Sequence, residues 1–464
     1  MSPEGHNQTV DATSQAAVIR TRSAKSVAVN LALIRAFRRS PRDFLDVLVA
    51  SGASTVPLRM GPERVLLVDD ATQVWELLTT HARRTGKGRG LVRARQLLGE
   101  GLLTSEGDKH LHRRRALQPA FQPQRIADYL VHFAGAARRT ADRWTDGGTI
   151  DLVAEMSAMT LDGAGTALFG SDLREPAPQI ARAVTDLLAG FRLAVAPGGP
   201  ALLRSPLPVA IRVRSAKAEL ESVVDDLLGG RWVSQPQPGP VLDLLASQPE
   251  LPKSDARDEV MTLLLAGHET TAMALTWALA AVDQAPAVRA DLEAEWDARP
   301  EVVLAGQLPD ALPLTTAVLA EALRLWPPSW MFSRRVLEPI VLGGRSIQVG
   351  TMCLISPALL HRDPRWWAEP EQFRPDRWLR REPGADRFDS KYPGQPRGAY
   401  LPFGAGPRMC IGEQFAWSEA ATVLAELGRS WRLRINDAQL TVGRSSMTLR
   451  PNTPVLATTS LRKS

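Results

Sequence analysis

Cys410 sits in the run Phe403-Gly404-Ala405-Gly406-Pro407-Arg408-Met409-Cys410-Ile411-Gly412, just ahead of a helical pattern from Ile411 to Gly428. A thiolate placed there is stabilised by backbone N–H groups and by the helix dipole. Gly404 and Gly406 permit a tight turn whose amides point at sulfur, and such hydrogen bonds tune a metal–sulfur bond. Gly412 removes a side chain where a flat ligand must lie close, and Arg408 offers a partner to an anionic group. The other cysteine, Cys353, lies in the strand-like run Val349 to Ile355 and reads as a small buried hydrophobe.

A second constellation is Ala266-Gly267-His268-Glu269-Thr270-Thr271, inside a long apolar helix from Asp255 to Val282. Burying an acid and hydroxyls there is costly. Glycine weakens a helix, and threonine can bond back to an upstream carbonyl and bend it. Glu269 and Thr270 side by side could relay protons to a bound molecule. His268 is not read as a metal ligand. Glu321 and Arg324 stand three apart and share a helix face. His110 and Arg114 lie about one turn apart on another helix.

Together these runs resemble the cytochrome P450 family. Phe403, Gly406, Arg408, Cys410 and Gly412 match all the fixed positions of its haem loop. Residues 266–271 match its distal motif at every position. Glu321 and Arg324 match its Glu-x-x-Arg pair, and Phe373-Arg374-Pro375-Asp376-Arg377-Trp378 supplies the third partner, Arg377. The resemblance implies that these three lock the core behind the haem. It implies haem b with Cys410 as axial ligand of the iron. His110, Arg114, Ala266, Thr270, Arg335, Phe403, Gly404, Arg408 and Gly412 are expected around the cofactor, with His110, Arg114 and Arg335 at the propionates. The choice between Arg334 and Arg335 stays open. Thr270 is assigned to oxygen-side hydrogen bonding and Glu269 to proton delivery.

The expected activity is dioxygen-dependent monooxygenation, chiefly hydroxylation, of an apolar small molecule such as a secondary metabolite, terpene or lipid. Oxidative C–N or C–C coupling at the same site is the first alternative, followed by peroxide-driven chemistry and a non-catalytic haem binder. Electrons from NAD(P)H must arrive through separate partners, a ferredoxin and its reductase being typical. No flavin or dinucleotide fingerprint is present, since Gly86, Gly88 and Gly90 lack a strand–turn–helix context. Arg113 or Arg115 is expected on the ferredoxin-docking face. Trp330, Met331, Phe332 and Met447 suggest an apolar substrate pocket, drawn also from residues 81–104, 185–212, 263–271 and 446–448.

The elements that position these residues follow from composition and punctuation. With 464 residues, 44% apolar and 23% charged, the chain can bury a sizeable core. The resemblance implies a predominantly helical α+β fold with small β-sheets: a flexible tail over 1–25, then one large domain over 26–464. The net charge of +6 fits an acidic partner or buried anionic groups, and no nucleic-acid motif accompanies it. Two cysteines, no signal peptide and no long apolar run predict a cytoplasmic, monomeric protein without a membrane anchor. Helices are expected over 27–49, 71–80, much of 107–228, 255–282, 314–325 and 411–428. Strands are expected over 56–67, 329–357 and the C-terminal tail. Residues 81–104 read as a loop with a short helix.

Overall fold

The computed structural model describes residues 31–462 apart from 34, 38, 52–57, 61–62, 196–197, 233–238, 249, 299–310, 383–384, 392–394, 437–440, 444–446 and 453. The expected tail over 1–25, residues 56–57 and 61–62 of the first expected strands, residues 196–197 and Ser446 lie outside the described residues.

The main helices are α1 (Pro41–Ala50), α2 (Ala71–Leu78), α3 (Arg89–Leu98), α4 (Gly107–Leu117), α5 (Pro123–Ala141), α6 (Leu152–Phe169), α7 (Ala177–Val195), α8 (Pro208–Leu228), α9 (Lys253–Asp283), α10 (Pro286–Ala298), α11 (Pro313–Leu325) and α12 (Glu413–Ser430). Proline opens α1, α5, α8 and α11, where its missing N–H costs nothing. Ser40, Asp70 and Asp151 cap α1, α2 and α6 by accepting from backbone N–H groups.

Twelve short strands make four small sheets among the described residues: β1 (Leu58–Met60), β2 (Glu63–Leu67), β3 (Thr85–Lys87), β4 (Thr149–Asp151), β5 (Phe332–Val336), β6 (Ile340–Leu342), β7 (Arg345–Ile347), β8 (Met352–Ile355), β9 (Leu379–Glu382), β10 (Ala385–Phe388), β11 (Trp431–Ile435) and β12 (Leu456–Leu461). The largest has the order β1-β2-β8-β5-β3, with only β2 and β8 parallel. No local pattern marks β3 as a strand. Its three residues include a glycine, and its pairing comes entirely from β5.

The long helix α9 runs through the molecule for about 45 Å at the usual helical rise. Its front, Val260 to Leu264, joins a core built with α5, α6, α7 and α8. Its rear, Ala272 to Val282, joins a second core with α6, α11 and α12. The polar insert falls in the seam between the two.

Behind the cysteine loop, Glu321 and Arg324 are fully buried. Arg324 donates to both carboxylate oxygens at 2.8 Å, and Arg377 Nε and Trp378 Nε1 add bonds of 3.2 and 2.9 Å. Arg324 also donates to the carbonyls of His361, Pro370 and Gln372. Every strong donor has a partner, so this buried ion network is satisfied. It ties α11 to the irregular segment that leads into the cysteine loop. His361 accepts from Leu401 N–H at 2.8 Å, and burial pushes its imidazole down to about 3, which keeps it a neutral acceptor.

Two expectations are corrected. Arg113 is buried rather than on a docking face; it pairs with Glu259 and Asp255 of α9. Arg115 alone of the two is exposed. Helix α9 also accepts from the turn before α4, through Glu100 N–H to Asp258 and Leu102 N–H to Glu259. Trp330 is likewise core and not pocket, edge-on to Phe44 with ring centroids 6.4 Å apart.

Removing one partner of a buried ion pair strands the other charge. Arg324→Ala is expected to cost about 3–5 kcal/mol of stability. Chemical denaturation checks this, with an exposed-pair control such as Arg231→Ala shifting by less than about 1 kcal/mol.

Candidate active site

The cysteine loop is built from two left-handed glycines, Gly404 at φ +72° and Gly406 at φ +71°. A Cβ on Gly406 would lie 2.0 Å from the Leu78 carbonyl oxygen, so no other residue fits without moving α2. The loop closes on itself: Cys410 N–H donates to the Phe403 carbonyl at 2.9 Å and Met409 N–H to Gly406 at 3.0 Å. The Gly412 N–H then donates toward Cys410 sulfur, at the foot of α12. Without a further partner, burial pushes the Cys410 thiol up to about 11, with Gly412 and Arg114 opposing. The side chain is nonetheless accessible, so it opens on an internal space.

In the seam of α9, Ala266 is exposed and Thr270 half-exposed, although the helix on either side is buried. A Cβ on Gly267 would meet nothing within 4 Å. Thr270 and Thr271 bond back to the carbonyls of Ala266 and Gly267 at 2.7 and 3.2 Å, as expected where a helix is bent. Glu269 is buried and turned toward the C-terminal segment, accepting from Thr448 Oγ1 at 3.2 Å and pairing with Arg450 at 3.3 Å. His268 is buried with its ring against the Leu264 carbonyl. No group of three metal-ligating side chains exists among the described residues.

A third group was only partly legible. Lys87 on β3 stands directly opposite Arg334 on β5. Like charges so paired repel. His110, Arg114 and Arg408 complete a cation cluster, and Glu106 is the carboxylate acting within it. Burial, then neighbouring cations, push Lys87 down to about 7 and His110 to about 4. Arg334 falls to about 10. Arg408 Nη1 donates to the Ala82 carbonyl, but its buried Nε has no partner. Arg114 donates to the Met409 carbonyl at 2.7 Å and so braces the cysteine loop. Strand alternation turns Arg334 inward, while Arg335 lines a cavity of about 300 Å³ with Arg89, Arg93 and Glu106.

The Cytochrome P450 family model matches residues 24–455. The chain belongs to the cytochrome P450 family. Cyclooctatin synthase of Streptomyces melanosporofaciens is 37% identical over 410 residues, covering 85% of this chain and 86% of the relative. Pentalenene oxygenase of Streptomyces avermitilis is 32% identical over 409 residues, covering 86% and 88%. A six-coordinated cytochrome P450 from Thermus thermophilus superposes with a TM-score of 0.69 at 28% identity, over 91% of this chain and 98% of that one. No helix among the described residues is long and apolar enough to cross a membrane.

The residues of this cytochrome P450 fit the haem-thiolate that the family implies. Cys410 supplies a soft ligand, and the unbalanced cations with the free Arg408 Nε fit two propionates. Two groups escaped the sequence reading. Lys87 sat in a stretch read as loop. Glu419 on α12 is fully buried, and burial raises its carboxyl well above the usual range, with only the Thr271 hydroxyl opposing. It therefore stands beside the distal motif as a buried acid without an ion-pair partner among the described residues. Its spacing from Cys410 was visible, but nothing local marked it as buried.

Lys87 gives a signed prediction. Its folded pKa lies below its ordinary value, so haem-free protein gains stability as pH rises from about 7 to about 10.5. Lys87→Met is expected to remove this slope and stabilise the haem-free form, while weakening haem retention. Denaturation of haem-free protein across that pH range, with haem content of the purified variant, checks both signs.

Proposed function

We propose that this cytochrome P450 hydroxylates a terpene or similarly apolar secondary metabolite, using haem b held by Cys410 and electrons from a ferredoxin and its reductase. The seam of α9 carries the proposal. An acid and an alcohol are placed where a helix leaves its packing, and Ala266 and Thr270 remain accessible inside a buried element. The similarity to cyclooctatin synthase and pentalenene oxygenase supports the substrate class.

In this reading Lys87, His110, Arg114, Arg334 and Arg408 would hold the propionates. That assignment prefers Arg334 to Arg335, because only Arg334 belongs to the buried cluster. When bound, the haem supplies oxygen activation, which a thiolate ligand favours by pushing electron density toward iron. The protein's own groups do the rest. Phe403, Gly404 and Gly412 shape the thiolate side. Ala266 leaves room on the other side. Thr270 Oγ1, now bonded to the Ala266 carbonyl, would turn to hydrogen-bond a bound oxygen molecule. Glu269 would have to leave Arg450 and Thr448 to deliver a proton, and Glu419, whose carboxyl burial raises, is a second acid beside the distal motif. Apolar residues from both cores exclude bulk water.

Reduced protein under carbon monoxide is expected to show a strongly red-shifted Soret band that Cys410→Ser abolishes. Turnover of a sesquiterpene and diterpene panel under labelled dioxygen should add one labelled oxygen to product. Thr270→Ala should cut product per electron by on the order of tenfold or more. Products without label, or unchanged coupling in Thr270→Ala, would reject this reading.

A further inference from the structure

Aromatic side chains gather behind the cysteine loop. Phe403, whose carbonyl receives the Cys410 N–H, lies with its ring 5.8 Å from Trp417 on α12. Beyond Trp417 come Phe388 at 6.2 Å and then Trp378 at 6.4 Å, with Tyr400 a further 4.6 Å on. Electrons tunnel readily between rings so close. The question is which ring would hold an oxidising equivalent, and local charge decides it.

An indole gives up an electron more easily when its N–H donates to a carboxylate and no cation lies nearby. Trp417 is placed for both conditions. It follows Glu413 by one turn on α12, so indole and carboxyl share a helix face, and no arginine or lysine is paired with Glu413 among the described residues. Burial holds the Glu413 carboxyl above its ordinary range, so it takes up an indole proton more readily. Trp367 fails both, with the Arg324 guanidinium 5.1 Å from its ring and its N–H on the Leu360 carbonyl. Trp378 donates to Glu321, but Arg324 and Arg377 outweigh that carboxylate. An electron hole is thus favoured on Trp417 and disfavoured deeper in. Trp417 is also half-exposed, whereas Trp367 and Trp378 are buried.

We propose that Trp417, with Glu413 as its proton acceptor, is a one-electron donor that protects the haem when oxygen activation proceeds without substrate. This rests on haem binding at Cys410. One electron passes from the indole to the oxidised haem centre. The indole becomes a radical cation and shares its N–H proton with Glu413. A one-electron reductant in solution, a thiol or ascorbate, then restores the indole and the proton returns. Trp417 plays no part in substrate oxidation itself.

The test uses the haem-loaded enzyme, first shown to have the thiolate Soret band. It is mixed with hydrogen peroxide without substrate and frozen within milliseconds for electron paramagnetic resonance. The wild type should give an indole-radical signal, and peptide mass spectrometry should find added oxygen at Trp417. Trp417→Phe should lose the signal and bleach its haem several-fold faster. Glu413→Gln should shorten the radical's life, and Trp367→Phe should change neither. An equal signal and equal bleaching in Trp417→Phe overturn the proposal. If that variant fails to take up haem, an unmodified Trp417 in peroxide-treated wild type overturns it instead. Lack of a thiolate band would reject haem ligation by Cys410, and this proposal with it; a normal band without a radical rejects this proposal alone.

Discussion

The structure depends on a charge imbalance. Lys87, His110, Arg114, Arg334 and Arg408 are drawn to one place from β3, α4, β5 and the cysteine loop. Glu106 is the carboxylate that opposes them at Lys87 and Arg334, and none opposes them at His110. Cations this close are costly without an anion, and the depressed Lys87 and His110 record that cost. Two haem propionates would remove it. Binding an anion that only the folded state can hold stabilises that state by mass action. The same side chains brace backbone: Arg408 holds Ala82, Arg114 holds Met409 and Lys87 holds Leu102. Neutralising the cluster therefore steadies the loop that presents Cys410.

The distal side is arranged in the opposite way. Helix α9 is packed into separate cores ahead of residue 265 and behind residue 271. Between them the sequence breaks its own apolar pattern, and the threonines bond back along the helix. Local rules fail there because an open space is needed, which is where functional residues are expected. The two acids nearby are held differently. Glu269 is paired with Arg450, whereas Glu419 has no ion-pair partner among the described residues and burial raises its carboxyl well above the usual range. One acid is thus held by an ion pair and the other by burial alone, on the two sides of the same helical seam.

How much of this was legible follows from the range of each interaction. The cysteine loop is local, so its glycines and its helix start could be read residue by residue. The Glu321–Arg324 pair is local as well, but Arg377 lies 56 residues beyond Glu321 and came only through resemblance. Lys87 and Arg334 depend on the register between β3 and β5, which no short window contains. Without that register, Arg334 and Arg335 were equivalent on paper. Arg113 misled for a similar reason. A run of three arginines resembles a solvated face, and its carboxylate partner Glu259 is 146 residues away.

Leu102 shows how the two sides of the site communicate. Its N–H donates to Glu259 of α9 at 2.9 Å, and its carbonyl accepts from Lys87 at 2.9 Å. Gly101 beside it has no room for a Cβ, which would lie 2.4 Å from the Asp258 carbonyl oxygen. The segment ahead of α4 is thus pinned between the oxygen-side helix and the cation cluster. Whatever steadies Lys87 also steadies Leu102, and Leu102 packs into the same core as the front of α9. An anion settled among the cations would therefore steady the packing at the front of α9. The cation cluster and the front of the oxygen-side helix are thus joined through one peptide unit.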